Sequence, residues 1–103
     1  MLVSKKYAKD DVVSFKLVNG DEIVARVEEE TEEGYFVSKP TTVMPSQQGI
    51  GLLQSLFTGN KDKSVFLSKQ HVMFHTETVK DVENHYITTT TGIQQVTKGS
   101  IIT

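Results

Sequence analysis

His71 and His75 are the residues whose type and spacing first invite a chemical reading, since two imidazoles four positions apart on a helix can hold one metal ion. Their neighbours Val72, Met73 and Phe74 favour a strand, and at about 3.3 Å per residue the rings then lie roughly 13 Å apart, too far to share an ion. His85 stands alone. The chain has no cysteine, so a nucleophile would have to be Ser or Thr beside His, and no nucleophile-elbow spacing occurs. Gly49 and Gly51 lack the Gly-Lys-Ser/Thr continuation of a phosphate-binding loop. We expect no catalytic residue, no metal site and no cofactor. The acids are more concentrated. Between positions 21 and 33 there are seven, against Arg26 alone. Residues 28–33 read as a solvated connection between strands. A cation site is the alternative, although the carboxylates lack the fixed spacing of a calcium loop. Either way this block repels phosphate.

The elements that position these residues start from one hairpin, VVSFKLVNGDEIVARV. Val13, Phe15 and Leu17 fall on one face of the first run. Ile23, Ala25 and Val27 alternate with Glu22 and Arg26 on the second, the period-2 pattern of half-buried strands. Asn19-Gly20 between such runs is a strong hairpin signal. A two-residue loop would set Leu17 against Glu22 and Val13 against Arg26, placing charge on the apolar face. A three-residue loop, Val18-Asn19-Gly20, pairs Phe15 with Ile23 and Val13 with Ala25 instead. That loop ends on a left-handed residue, so Asn19 and Gly20 are structural turn residues.

Strands are predicted over 12–18, 21–29, 34–39, 64–68 and 70–76, with core candidates Val13, Phe15, Leu17, Ile23, Ala25, Val27, Phe36, Val65, Leu67 and Val72. Pro40 and Pro45 restrict residues 41–44 to an edge or a turn. The segment 44–64 reads as a long loop, in which Ile50, Leu52, Leu53, Leu56 and Phe57 have partial helical spacing. It is either a helical turn folded back on the domain or a neighbouring subunit, or an exposed patch that docks a partner. Val79, Val82 and Tyr86 predict a short helix over 77–86. Four threonines follow, so 86–91 is a candidate β arm and the rest a tail. We divide the chain into a domain over 1–87 and a C-terminal extension over 88–103. At 103 residues and 37 % hydrophobic content the core is modest, and pairing open edges between subunits is one remedy. No run reaches membrane-spanning length, and the start lacks the apolar core of a signal peptide. The expectation is a soluble cytoplasmic protein with no membrane partner.

The hairpin's pattern, apolar-x-apolar-x-Leu-x-Asn-Gly-x-Glu-apolar-x-Ala-x-Val, resembles the first signature segment of Sm-like proteins, small RNA-associated ring formers. Residues 65–72, VFLSKQHV, stand where that family places its second segment, with Ser68-Lys69 in place of its Arg-Gly pair. The chain looks most like the compact phage-type members; a phage-encoded protein would work in the host cytoplasm. The resemblance implies a mainly β fold, a five-stranded, strongly bent open barrel preceded by a short N-terminal helix or lead-in. It also implies a homo-oligomeric ring, with five subunits favoured over six or seven, and single-stranded RNA or an RNA-associated protein as partner. Sm-like rings hold uridine-rich RNA near the pore through one loop from each segment. Aligned without gaps, their Asp positions fall at Thr31 and Glu32, their Asn at Tyr35 and their Arg at Ser68, beside Lys69. Tyr35 as a stacking surface and Lys69 as a phosphate contact, with Ser68, are then the RNA-binding candidates. The competing class is an assembly or adaptor protein that docks partners through residues 49–59.

Overall fold

The computed structural model describes residues 6–91. Six strands form one antiparallel sheet: β1 (Val12–Leu17), β2 (Glu22–Glu30), β3 (Gly34–Ser46), β4 (Gly49–Gln54), β5 (Val65–Ser68) and β6 (Val72–Glu77). A 3-10 turn, Lys69–His71, joins β5 to β6, and α1 (Lys80–Thr91) follows. The order across the sheet is β4-β3-β2-β1-β6, with β5 on β3 as well. β3 is long enough to serve two partners on one side: Gly34 to Val37 pair with β5, and Thr41 to Ser46 with β4. The sheet does not close.

The hairpin has its predicted register. Phe15 pairs with Ile23 and Val13 with Ala25, while the Leu17 N–H donates to the Asp21 carbonyl at 2.8 Å. The Gly20 N–H closes the three-residue loop on the Leu17 carbonyl at 2.9 Å, and Gly20 has φ +97°. One face of the sheet buries Val13, Phe15, Ile23, Ala25, Val27, Tyr35 and Val37, with Tyr7, Leu17, Val65, Leu67 and Val72 packed around them. The other buries Val12 and Val24 beneath Tyr86 of α1, flanked by Val43, Leu52, Val82 and Ile87. α1 thus covers the second face, while the first face gathers side chains of the sheet's own strands with Tyr7 of the lead-in.

Several expectations are corrected. The described residues form six strands, not five. The sixth is β4, where partial helical spacing had suggested a turn: a short apolar run is ambiguous by periodicity, and pairing with β3 decides it. β3 therefore runs through Pro40 and Pro45. Arg26 pairs with Ser38 and Val24 with Thr41, so Lys39 and Pro40 oppose Ala25 alone, a bulge that accommodates the missing Pro N–H. The lead-in holds a turn rather than a helix among its described residues, and the α-helix is C-terminal. It extends through Thr91, replacing the β arm expected over 86–91. Thr90 Oγ1 donates to the Tyr86 carbonyl at 2.8 Å, which spends its hydroxyl within the helix. Phe36 is not core: Tyr35 and Val37 share the inner face, so Phe36 points outward against Phe66, with ring centroids 5.1 Å apart. The tail beyond residue 91 lies outside the described residues.

Candidate functional site

The two segments singled out in the sequence meet in space. The β2–β3 turn is built on Thr31, whose Oγ1 accepts from the N–H groups of Glu33 and Gly34 at 3.2 and 3.1 Å. Gly34 then pairs with Ser68 and Tyr35 with Leu67, and the Lys69 N–H donates to the Glu33 carbonyl at 3.0 Å. A side chain at position 34 would run into the Leu67 carbonyl and the Phe66 ring, so glycine is what lets β3 and β5 approach here. Ser68 caps the 3-10 turn, its Oγ accepting from the Gln70 N–H at 3.2 Å. Its hydroxyl thus has a local structural task.

Tyr35 and Lys69 are adjacent but committed to the protein. The Tyr35 ring is 1 % exposed, packed 4.9 Å from Phe15 and 5.9 Å from His75, centroid to centroid. Lys69 Nζ lies 5.4 Å from the Tyr35 centroid and 3.0 Å from Glu30 Oε2. Burial pushes the Glu30 carboxyl up, but the Tyr7 N–H at 3.0 Å and the Lys69 ammonium outweigh it and hold it below the usual value. Burial raises the Tyr35 phenol to about 12, with the Glu30 charge adding to the effect, so it stays a neutral hydroxyl. Tyr7, which nothing in the sequence marked, closes the cluster: its hydroxyl lies 2.6 Å from His75 Nδ1 and its ring 5.5 Å from the imidazole. Together Tyr7, Glu30, Tyr35, Lys69, Val72, Met73 and His75 line an open recess of about 590 Å3. An aromatic wall with an internally neutralised ion pair receives a planar ring more readily than a bare phosphate. The accessible aromatic surfaces belong to Tyr7 and His75, because the Tyr35 face is covered.

His71 ends the 3-10 turn rather than lying on a strand, while His75 is on β6. Among the described residues no three His, Asp or Glu side chains gather as a metal site would require. Of the apolar residues expected to dock a partner, Leu52 is half-buried against the α1 side of the sheet. Ile50, Leu53 and Leu56 are 42–47 % exposed and Phe57 71 %. Two further apolar surfaces went unread in the sequence. Phe66 lies on the β5 edge against Phe36 of β3, and Met73 and Phe74, exposed by 56 and 66 %, lie on the β6 edge. No helix among the described residues is long and apolar enough to cross a membrane. No protein-family model and no curated protein matches the chain.

Proposed function

We propose that the chain is an Sm-like subunit that joins copies of itself edge to edge into a ring, favoured as a pentamer, and that the ring is an RNA-associated binding module. One observation carries the assembly. β5 and β6 are consecutive, yet they pair with β3 and β1 on opposite sides of the sheet and leave both outer edges open. Sequential strands usually pair with each other, and exposed apolar edges are normally blunted or covered. Here each edge carries large apolar side chains. β6 of one copy added to β5 of the next would cover both, head to tail, and such a heterologous contact closes into a ring when the rotation fits.

For RNA, the support is the meeting of the 31–33 and 69–71 loops beside an aromatic recess, repeated once per subunit. Stacking on Tyr7 and His75 is worth about 1–3 kcal/mol per base, which becomes useful avidity only when repeated around a ring. Glu30 and the acids at 28–33 keep each contact weak. Fluorescence anisotropy with a short oligouridine at low salt tests this. Binding should fade as salt rises and fall with Tyr7→Ala and His75→Ala together. The exposure of Ile50, Leu53, Leu56 and Phe57 favours a second reading, an adaptor that docks protein partners through 49–59. Absence of oligouridine binding by the wild-type assembly would leave that reading in place.

A further inference from the structure

A second cleft shares no residue with the recess and, where the recess balances Glu30 with Lys69, is lined by lysines without a carboxylate. It lies where the β3 bulge, the connection from β4 to β5 and the end of α1 meet. Lys39, Lys61 and Lys63 line it, with Thr89 and Thr90 from the helix, and no Asp or Glu contributes to its wall. In a chain of net charge −2, this concentrates three of eleven basic side chains at one place. None of the three takes part in the ion pairs among the described residues, which are Lys9–Glu28, Lys69–Glu30 and Lys80–Glu83.

The cleft is built, not incidental. Lys39 has φ +49°, a left-handed conformation unusual for a non-glycine residue, and it immediately precedes Pro40. It is pinned there by the Tyr86 hydroxyl, which lies 2.9 Å from both the Ser38 and Lys39 carbonyls. A bulge holding a strained residue is a common way to aim a side chain at a ligand. On the facing loop, Asn60 Oδ1 accepts from the Asp62 N–H at 2.9 Å and its carbonyl from the Lys63 N–H at 3.1 Å, fixing the turn that carries Lys61 and Lys63. Pro40, Leu56 and Val65 supply apolar wall between the lysines. The volume is about 180 Å3. A cavity of about 150 Å3 accepts benzene, so a single aromatic ring fits.

We propose that this cleft binds a pyrimidine nucleotide, with the phosphate held by Lys39, Lys61 and Lys63 and the ring against Pro40, Leu56 and Val65. Lysine ammonium groups bind phosphate as point charges, and a few polar groups in an apolar wall set orientation. The nucleotide is either free or the 5′-phosphorylated end of a strand. The assignment depends on neither the ring nor the RNA reading of the recess.

The test is a heteronuclear NMR titration of the full chain with uridine 5′-monophosphate, uridine and inorganic phosphate. Shifts should centre on residues 39–41, 54–65 and 89–90, with the monophosphate binding at least tenfold tighter than uridine or phosphate alone. Lys61→Gln with Lys63→Gln should lower its affinity at least tenfold, as should Lys39→Gln, with unchanged melting temperatures because all three side chains are exposed. A 5′-phosphorylated oligouridine giving the same shifts, where its unphosphorylated form does not, assigns the strand end; shifts from the monophosphate alone assign the free nucleotide. No response to millimolar uridine monophosphate, equal affinity for inorganic phosphate or uridine, or unchanged binding by the lysine variants would overturn the proposal.

Discussion

Two residues make opposite demands on the backbone and on charge. Gly20, at φ +97°, has open space where a Cβ would stand, so replacing it tests conformation without steric clash. Gly20→Val should destabilise by about 1–2 kcal/mol, and Gly20→Asn by less, since asparagine tolerates the left-handed region. Denaturant melts of the three proteins check this. Glu30 tests charge. Its folded-state pKa is lowered, so its contribution to stability is fully present above the ordinary value of 4.5 and is lost as pH falls through the lower folded value. The stability difference between wild type and Glu30→Gln should be constant near neutrality and shrink in acid below pH 4.5. A difference that grew in acid would contradict the Tyr7 and Lys69 contacts as its origin. The hairpin turn was legible because its determinants are local. The Glu30 cluster was not, since Tyr7 lies more than twenty positions before Glu30 and Lys69 and His75 more than thirty after it.

Among the elements, α1 shows how a weak amphipathic signal becomes a structural necessity. Val79, Val82 and Tyr86 already had helical spacing, but the sequence did not reveal that Val82 and Tyr86 pack on the sheet while Val79 stays exposed. Tyr86 is fully buried over Val12 and Val24, and its oxygen accepts from the Arg26 N–H at 3.1 Å while facing the two bulge carbonyls. Tyr86→Phe keeps the ring and strands these backbone groups. It should cost about 1–3 kcal/mol, the desolvation cost of an unpaired buried donor. Chemical denaturation measures that loss, and narrowed hydrogen-exchange protection at Arg26 would locate it. Burial, opposed by the Arg26 N–H, raises the Tyr86 phenol to about 12, so this link stays protonated across the physiological range. β4 is the converse case. Its apolar residues were visible, but only the partner strand β3 makes them extended.

At the scale of the molecule, the open β5 and β6 edges dominate. If they join between copies, native mass spectrometry at micromolar concentration should show a closed oligomer, with five subunits expected. Phe66→Lys or Phe74→Lys, placing charge at either edge, should shift it to monomer while circular dichroism retains the sheet, because both side chains are already solvent-exposed in the single chain. A wild-type monomer would exclude edge joining. Loss of the sheet signal in both variants would instead mean that Phe66 and Phe74 serve the fold of the single chain.

The sequence by itself determined the antiparallel, mainly β character, the hairpin register and the three-residue turn. Each depends on residue alternation and turn chemistry within some sixteen neighbouring positions. Tertiary structure decided what is buried. Which of Tyr35 and Phe36 enters the core follows from the face β3 presents after its turn, and the covering of the second sheet face follows from where α1 lands. It also decided that Lys69 answers Glu30 while Lys39, Lys61 and Lys63 converge on a cleft. Lys69 with Glu30, and Lys39 with the Lys61–Lys63 turn, are meetings of residues more than twenty positions apart, and local propensity carries no information about distances across the sheet.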